Sequence, residues 1–367
     1  MLQLNNISVL QFKNYREAGF HFTERIVGIC GANGMGKTNL LDAIYYSCFT
    51  KSYFSRIDSQ HVLQGASGFR IESNFNREGK DEKAVCILRE TGKKEFSIND
   101  QPYERMADHI GRYPAVFIAP DDIEIITGGS EGRRRFVDAL ISQTNHEYLE
   151  HLIDHNRTLL QRNSYLKQLA ESPGGDQNLL DVYDQQLSEH GKFIFETRSS
   201  CLQNLIPITR DFYKNIAGSG EEVDLIYESQ LLNTDYASLL KQNRSRDLVL
   251  QRSNAGVHKD DIIIRFKGQP FKNLASQGQR KSLLFALKLA EFETLKSTMH
   301  FAPILLLDDV FEKLDEHRMH NLLNWVCVQN EGNIFITDTH CERINEHFNA
   351  LGVKFQVIAL ESGINNQ

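Results

Sequence analysis

Basic charge is in short supply in this chain: 41 Lys and Arg stand against 48 Asp and Glu, a net charge of −7. That excludes a whole-molecule basic field, the simplest mark of nucleic-acid binding, so any DNA contact must be a local patch. Long apolar runs are missing too; none approaches the roughly 20 uncharged residues that span a bilayer. The first residues, Met1-Leu2-Gln3-Leu4, show neither the basic start nor the apolar stretch of a secretion signal. A cytoplasmic protein with no membrane attachment is therefore expected. The six cysteines, Cys30, Cys48, Cys86, Cys201, Cys327 and Cys341, are scattered and form no C-x-x-C pair. This spacing suggests neither a zinc site nor a redox motif. Several lie in apolar segments, as buried thiols do, which suits a reducing compartment. Disorder is excluded by composition, 41% apolar and 24% charged. A length of 367 residues suffices for a large two-lobed domain or two ordinary ones.

Hydrophobic patterning places short strands at Ile7–Phe12, Ile26–Cys30 and Ala115–Ile118, with Phe20–Phe22 able to pair with the first. Val85 and Ile87 face Phe96 and Ile98 across Glu90-Thr91-Gly92, a hairpin turn. Between about Glu131 and Asn215 the pattern becomes long amphipathic helices, broken at Ser172-Pro173-Gly174-Gly175. That stretch holds ten Lys or Arg and twelve Asp or Glu, so it is no basic tether. Strand patterns return at Val223–Tyr227 and Ile262–Phe266. A helix over Gln277–Leu295, a strand at Ile304–Leu307, a helix over Glu316–Val328 and strands at Asn333–Thr337 and Lys354–Ala359 follow. Strands alternating with helices at both ends predict a mostly parallel sheet.

Gly31-Ala32-Asn33-Gly34-Met35-Gly36-Lys37-Thr38 fits G-x-x-x-x-G-K-[ST] in full. The glycines let backbone N–H groups turn inward around phosphate oxygens, and the helix that follows, through Asn39, turns its positive end to the anion. Lys37 is placed to reach the β- and γ-phosphates of ATP, and the Thr38 hydroxyl to bind Mg²⁺. A chance glycine turn is a poor rival, because the required strand precedes the loop and the required helix follows it. Ile304–Leu307 then runs into Asp308-Asp309, four apolar residues followed by acid. Asp308 is the candidate Mg²⁺ carboxylate. Asp309 stands where ABC-type ATPases carry the carboxylate, commonly Glu, that orients the attacking water. Being one methylene shorter, it implies slow hydrolysis.

Ser276-Gln277-Gly278-Gln279 precedes a helix and resembles the ABC signature S-x-G-Q. Ser276 can cap that helix, and its hydroxyl with the Gly278 N–H makes a second anion site. In ABC proteins this site holds the γ-phosphate bound to the other subunit, so ATP lies sandwiched in a homodimer. Leu314-Asp315 stands at the spacing of the D-loop. Asp338-Thr339-His340 falls where ABC proteins place the switch histidine; Asp338 takes the histidine position itself, with His340 two residues on. Either could sense the γ-phosphate. Ala119-Pro120-Asp121-Asp122 is the counterpart of the Q-loop, without its glutamine.

Across nearly the whole chain these features resemble the RecF family of bacterial repair ATPases. Phe12-Lys13-Asn14-Tyr15-Arg16 is similar to that family's F-R-N-Y start, and Gly31–Tyr46 to its extended phosphate loop and helix. Lys51-Ser52 matches a KS pair, and Pro120–Asp138 a long central motif, with Ser130 in place of proline. Gly256-Val257-His258-Lys259-Asp260-Asp261 resembles G-x-H-[RK]-D-D, and Ala286–Glu291 the signature helix. Glu312-Lys313 departs from the small residue and acid usual before the D-loop. The resemblance implies an ABC-type α/β P-loop head of mixed sheet and helices, with an inserted, mainly helical lobe. It implies ATP-dependent dimerisation around duplex, gapped or single-stranded junction DNA, slow DNA-stimulated hydrolysis, and cooperation with RecR and RecO to load RecA. The head is expected over residues 1–130 and 250–367, and the helical lobe over 131–249. An SMC-type protein would need hundreds of coiled-coil residues between Thr38 and Ser276. A transporter ATPase would carry a Q-loop glutamine and a compact helical domain.

Overall fold

The computed structural model describes residues 1–171, 178–217, 223–311 and 316–361. The predicted break at Ser172–Gly175 and the D-loop pair Leu314-Asp315 lie outside them. The chain divides into two compact units, one of residues 1–122, 212–219 and 277–367, the other of 123–211 and 220–276. Residues 123–130 and 250–276 thus group with the second unit. Strand pairing explains the later segment, since Asp261–Phe266 hydrogen-bonds along Val223–Glu228.

In the first unit a five-stranded parallel sheet has the order β14-β3-β13-β12-β8. Its strands are β3 (Ile26–Cys30), β8 (Ala115–Ile118), β12 (Ile304–Leu307), β13 (Ile334–Asp338) and β14 (Gln356–Ala359). Every residue of β3, β8, β12 and β13 is buried. A sheet covered on both faces needs unbroken apolar strands, which is why these read as continuous runs rather than alternations. A second, antiparallel sheet runs β2-β1-β4-β5-β6-β7. It comprises β1 (Leu2–Phe12), β2 (Tyr15–His21), β4 (Phe69–Arg77), β5 (Lys80–Leu88), β6 (Lys94–Ile98) and β7 (Gln101–Pro102). Here burial alternates, most clearly along β4, so one face packs inward. Phe20 pairs with Ile7, and β5 turns into β6 through Gly92 at φ 78°.

Helix α1 (Lys37–Phe49) follows the phosphate loop and touches β1, β4 and β5 on one side and β8 and β13 on the other. All but two of its residues, Thr38 and Asn39, are buried, as befits a helix held between two layers. Leu40, Leu41, Ile44 and Tyr45 share one core with residues of both sheets.

The second unit holds α2 (Ile123–Thr127), α3 (Ser130–Thr144), α4 (His146–Glu171), most of α5 (Asn178–Ala217), α6 (Tyr236–Leu250) and α7 (Phe271–Leu274). Beside them lies a small antiparallel sheet of β9 (Val223–Glu228), β10 (Asp261–Phe266) and β11 (Gln269–Pro270). Its interior is unusually ionic. The fully buried Arg162 side chain pairs with Asp184 and Asp247, each at 2.7 Å. Arg198 bridges Asp138 and Asp260. Two sequence motifs more than a hundred residues apart meet here: Arg133 grips Asp261 at 2.6 Å, and Arg134 donates to the Asp260 carbonyl. Their charged residues are therefore engaged with one another.

The remaining helices, α8 (Gln277–Met299), α9 (Glu316–Asn324) and α10 (Cys341–Ala350), belong to the first unit. The helix expected over Glu316–Val328 loses its regular geometry at Asn324 and continues as a wider π turn, Trp325–Gln329. Among the described residues no helix is long and apolar enough to cross a membrane.

Candidate nucleotide site

The phosphate loop joins buried β3 to buried α1, so both ends are fixed while Ala32, Asn33 and Gly34 stand exposed. Its last glycine, Gly36, sits at φ 103°. A Cβ there would lie 2.7 Å from Asn14 Nδ2 and 2.8 Å from Tyr15 Oη. Both neighbours come from the β1–β2 turn, whose F-K-N-Y run is thereby given a job. The Tyr15 hydroxyl donates to the Gly36 carbonyl at 2.9 Å, and Asn39 Nδ2 donates to Asn14 Oδ1 at 2.6 Å. Lys13 pairs with buried Asp42 at 2.6 Å, and Asp42 also takes the Ser52 hydroxyl and the Tyr53 N–H. The Lys51-Ser52 segment is thus stitched to α1.

Lys37 Nζ donates to the carbonyls of Gly31 (2.7 Å) and Ala32 (3.2 Å), inside the loop. Opposite it, the Thr38 hydroxyl donates to both oxygens of Asp308, at 2.9 and 3.0 Å. Asp308 also accepts from Thr337 Oγ1 at 2.8 Å, and Thr337 Oγ1 in turn accepts the Asp309 N–H. Burial pushes the Asp308 carboxyl above its ordinary range, against the pull of those hydroxyls and of Lys37. A hydroxyl and a carboxylate meeting at a phosphate loop form an all-oxygen donor pair, the set that a hard cation such as Mg²⁺ takes. Thr337 belongs to no nucleotide-binding motif of the sequence. Its only sequence signal is its place as the penultimate residue of β13; in the sheet it lies in register with Ile29 of β3.

Asp309 is half-buried with φ 47°, an uncommon conformation for a residue with a Cβ. Asp338 and His340 differ sharply. Asp338 is 1% exposed and is clamped by Arg343 through two bonds, Nε at 2.8 Å and Nη2 at 2.7 Å. Its Oδ1 also receives the His340 N–H at 2.7 Å. His340 is exposed, directly before α10. Arg343, three residues beyond His340 in the first turn of α10, carries no sequence signal of this contact. In the Q-loop counterpart Asp122 is buried, closing its own turn on the Ala119 N–H and taking the Tyr53 hydroxyl, while Asp121 is exposed. Deep in the first unit Lys288 of α8 pairs with Glu291 at 3.2 Å. Of the signature, Gln277, Gly278 and Gln279 open α8 in the first unit, and exposed Ser276 ends the second.

The cysteines need a correction. Read as scattered thiols with no redox motif, they include one joined pair, Cys30–Cys341. Spacing along the chain could not show it, because it depends on parallel pairing of β3 with β13, which brings together residues 311 apart in sequence.

A doubly flanked parallel sheet, a phosphate loop feeding a buried helix, and an acid-terminated strand beside it define an ABC-type P-loop ATPase head with an inserted, mainly helical lobe. The family model of the RecF/RecN/SMC N-terminal domain matches residues 3–360. The DNA replication and repair protein RecF of Flavobacterium johnsoniae is 42% identical over 93% of this chain and 95% of its own. That of Phocaeicola vulgatus is 41% identical over 98% and 97%. The chain belongs to the RecF family. Among solved structures, the recombination mediator protein RecF with ATP, in the RecFOR pathway, superposes with a TM-score of 0.84 at 30% identity, covering 92% of each chain. An archaeal Smc head with an extended coiled coil, from Pyrococcus furiosus, shares the fold at 15% identity and a TM-score of 0.58.

Proposed function

We propose that this chain is an ATP-binding DNA replication and repair protein that dimerises with ATP on gapped DNA, hydrolyses ATP slowly, and with RecR and RecO promotes loading of RecA. The observation carrying the nucleotide part is the Thr38–Asp308–Thr337 hydroxyl–carboxylate chain set against the phosphate loop. Relatives named for DNA replication and repair, and a relative solved with ATP, support the wider reading. In it, backbone N–H groups of Gly31–Gly36 cradle the phosphates, and Lys37 leaves its carbonyls to neutralise the β- and γ-phosphates. Thr38 and Asp308 would hold Mg²⁺, whose charge offsets that of the phosphates. Asp309 orients the attacking water and takes its proton. His340 reaches the γ-phosphate, while Asp338 holds the turn that presents it. Ser276, Gln277, Gly278 and Gln279 meet the partner protomer's γ-phosphate, and Asp315 takes the part of the D-loop acid.

The test mixes two variants. Lys37→Ala damages the phosphate loop in cis, and Ser276→Arg blocks the partner's γ-phosphate. A mixed dimer then has one site with both defects and one with neither, so ATPase activity lost in each variant returns on mixing. No recovery at any ratio, with both variants folded, would sink the sandwich dimer.

A further inference from the structure

Cys30 and Cys341 flank the nucleotide site from its two sides. Cys30 is the last residue of β3, fully buried, and adjoins Gly31, whose carbonyl holds Lys37 Nζ. Cys341 is the first residue of α10, half-buried, and adjoins His340. The bond between them spans a Cα–Cα distance of 5.2 Å. Helix α10 is already seated against β3: a Cβ on Gly28 would lie 2.6 Å from Ile344 Cγ2, so only glycine lets the helix come this close. Neither cysteine belongs to a nucleotide-binding motif, and Cys30 lies in register with Asp338 between β3 and β13.

The geometry points to a dithiol modification site whose co-substrate is a peroxide, and which ties the γ-phosphate-sensing turn to the base of the phosphate loop when oxidised. It rests on the nucleotide role proposed for the loop and His340. Cys341 is the attacking thiol. It is the solvent-reachable member, half-buried at the start of a ten-residue helix. Its sulfur attacks the peroxide O–O bond; an S–O bond forms, the O–O bond breaks, and hydroxide leaves to become water. Cys30 then gives up its proton and attacks the Cys341 sulfur. The S–S bond forms, the S–O bond breaks, and a second water leaves. Two thiols and one peroxide become a disulfide and two waters, with two electrons passing to the peroxide. A dithiol reductant reverses this by exchange.

Three of the other cysteines compete poorly. Burial raises the Cys86 and Cys327 thiols to about 12 and Cys48 further still. Each is buried, so none offers peroxide a ready thiolate. Cys201 lies in the second unit and serves as an internal control.

The bond acts on motion rather than on the binding groups. To accept phosphates, Lys37 must leave the Gly31 and Ala32 carbonyls, and the turn carrying His340 must close on the terminal phosphate. The disulfide couples these segments one residue from each. Nucleotide binding persists, and the ATP-driven closure slows.

The experiment uses the full chain, treated with hydrogen peroxide or with dithiothreitol. Peptide mapping by mass spectrometry reads the cross-link, a fluorescent ATP analogue reads binding, and sedimentation with ATP reads the dimer. Expected are a Cys30–Cys341 cross-linked peptide, analogue affinity within about twofold, and dimer formation slowed on the order of tenfold, as for a gated step. Dithiothreitol restores the rate. Cys341→Ala, checked for folding by its melting curve, loses both the cross-link and the peroxide response; Cys201→Ala keeps them. Absence of the cross-linked peptide overturns the proposal. So does a cross-linked protein that dimerises as fast as the reduced one. If the reduced parent forms no dimer with ATP at all, the proposed function fails instead, and the peptide map with the analogue's binding rate, expected slower in the oxidised form, still decides for or against the dithiol site.

Discussion

Asp338 and His340 stand two residues apart between β13 and α10, and the proposed function gives them different work that a pair of substitutions separates. In Asp338→Asn the backbone and shape are kept, but the carboxylate that binds Arg343 at 2.7 and 2.8 Å becomes an amide. A hydrogen bond between charged groups contributes roughly 1.5–3 kcal/mol, and two would suggest more than is realistic here. The Arg343 side chain is 36% exposed, so solvent screens the pair, and about 2 kcal/mol of lost stability is the reasonable figure. For a unit of this size that lowers the melting temperature by about 4–8 °C. His340→Ala removes an exposed side chain and should change stability by less than about 0.5 kcal/mol. It should nonetheless abolish ATP-dependent dimerisation, because the exposed imidazole is the group free to meet the γ-phosphate. The assays are thermal melting without nucleotide and sedimentation with and without ATP. The reasoning fails if Asp338→Asn melts with the parent yet loses all response to ATP while His340→Ala keeps it. That pattern would make the acid the sensor and Arg343 incidental.

Two further outcomes follow from individual groups. Asp309→Asn should bind ATP as the parent does but hydrolyse it slower by about 100-fold or more, leaving a long-lived dimer; turnover at the parent rate would move the general base elsewhere. His109 is fully buried among Phe96, Tyr103 and Tyr113 and donates to the Ser47 carbonyl at 2.8 Å, so burial drives its pKa down to about 4. The unfolded chain takes up this proton near pH 6.5 while the folded one refuses it. Stability from this group is therefore full above pH 6.5 and is lost as pH falls toward 4, by up to roughly 1.4 kcal/mol per pH unit. His109→Gln should flatten the melting-temperature profile over that window, and an unchanged slope would show that the ring protonates within the fold.

Sequence alone determined the parts whose physics is local. A glycine loop between a buried strand and a helix, and four apolar residues ending in acid, need only nearest neighbours along the chain to be recognised. The bounds of β3, β8 and β12 were legible for the same reason: strands covered on both faces must be apolar throughout. The F-K-N-Y and Lys51-Ser52 segments were visible as motifs, yet their purpose was not. That Asn14 and Tyr15 brace Gly36, and that Ser52 closes on Asp42, follows from where the β1–β2 turn lies over α1. Tertiary structure alone brought Thr337 to Asp308, Arg343 to Asp338 and Cys30 to Cys341. The order β3-β13-β12 sets Thr337 against Asp308 and Cys30 in register with Asp338, joining chain positions near 30, 308 and 338. Strand order is set by how crossovers bury helices on both sheet faces, a long-range condition that no window of residues contains. Arg343 shows the same dependence: the sequence leaves Asp338 and His340 as alternatives, and only the turn of the next helix brings a guanidinium onto the Asp338 carboxylate.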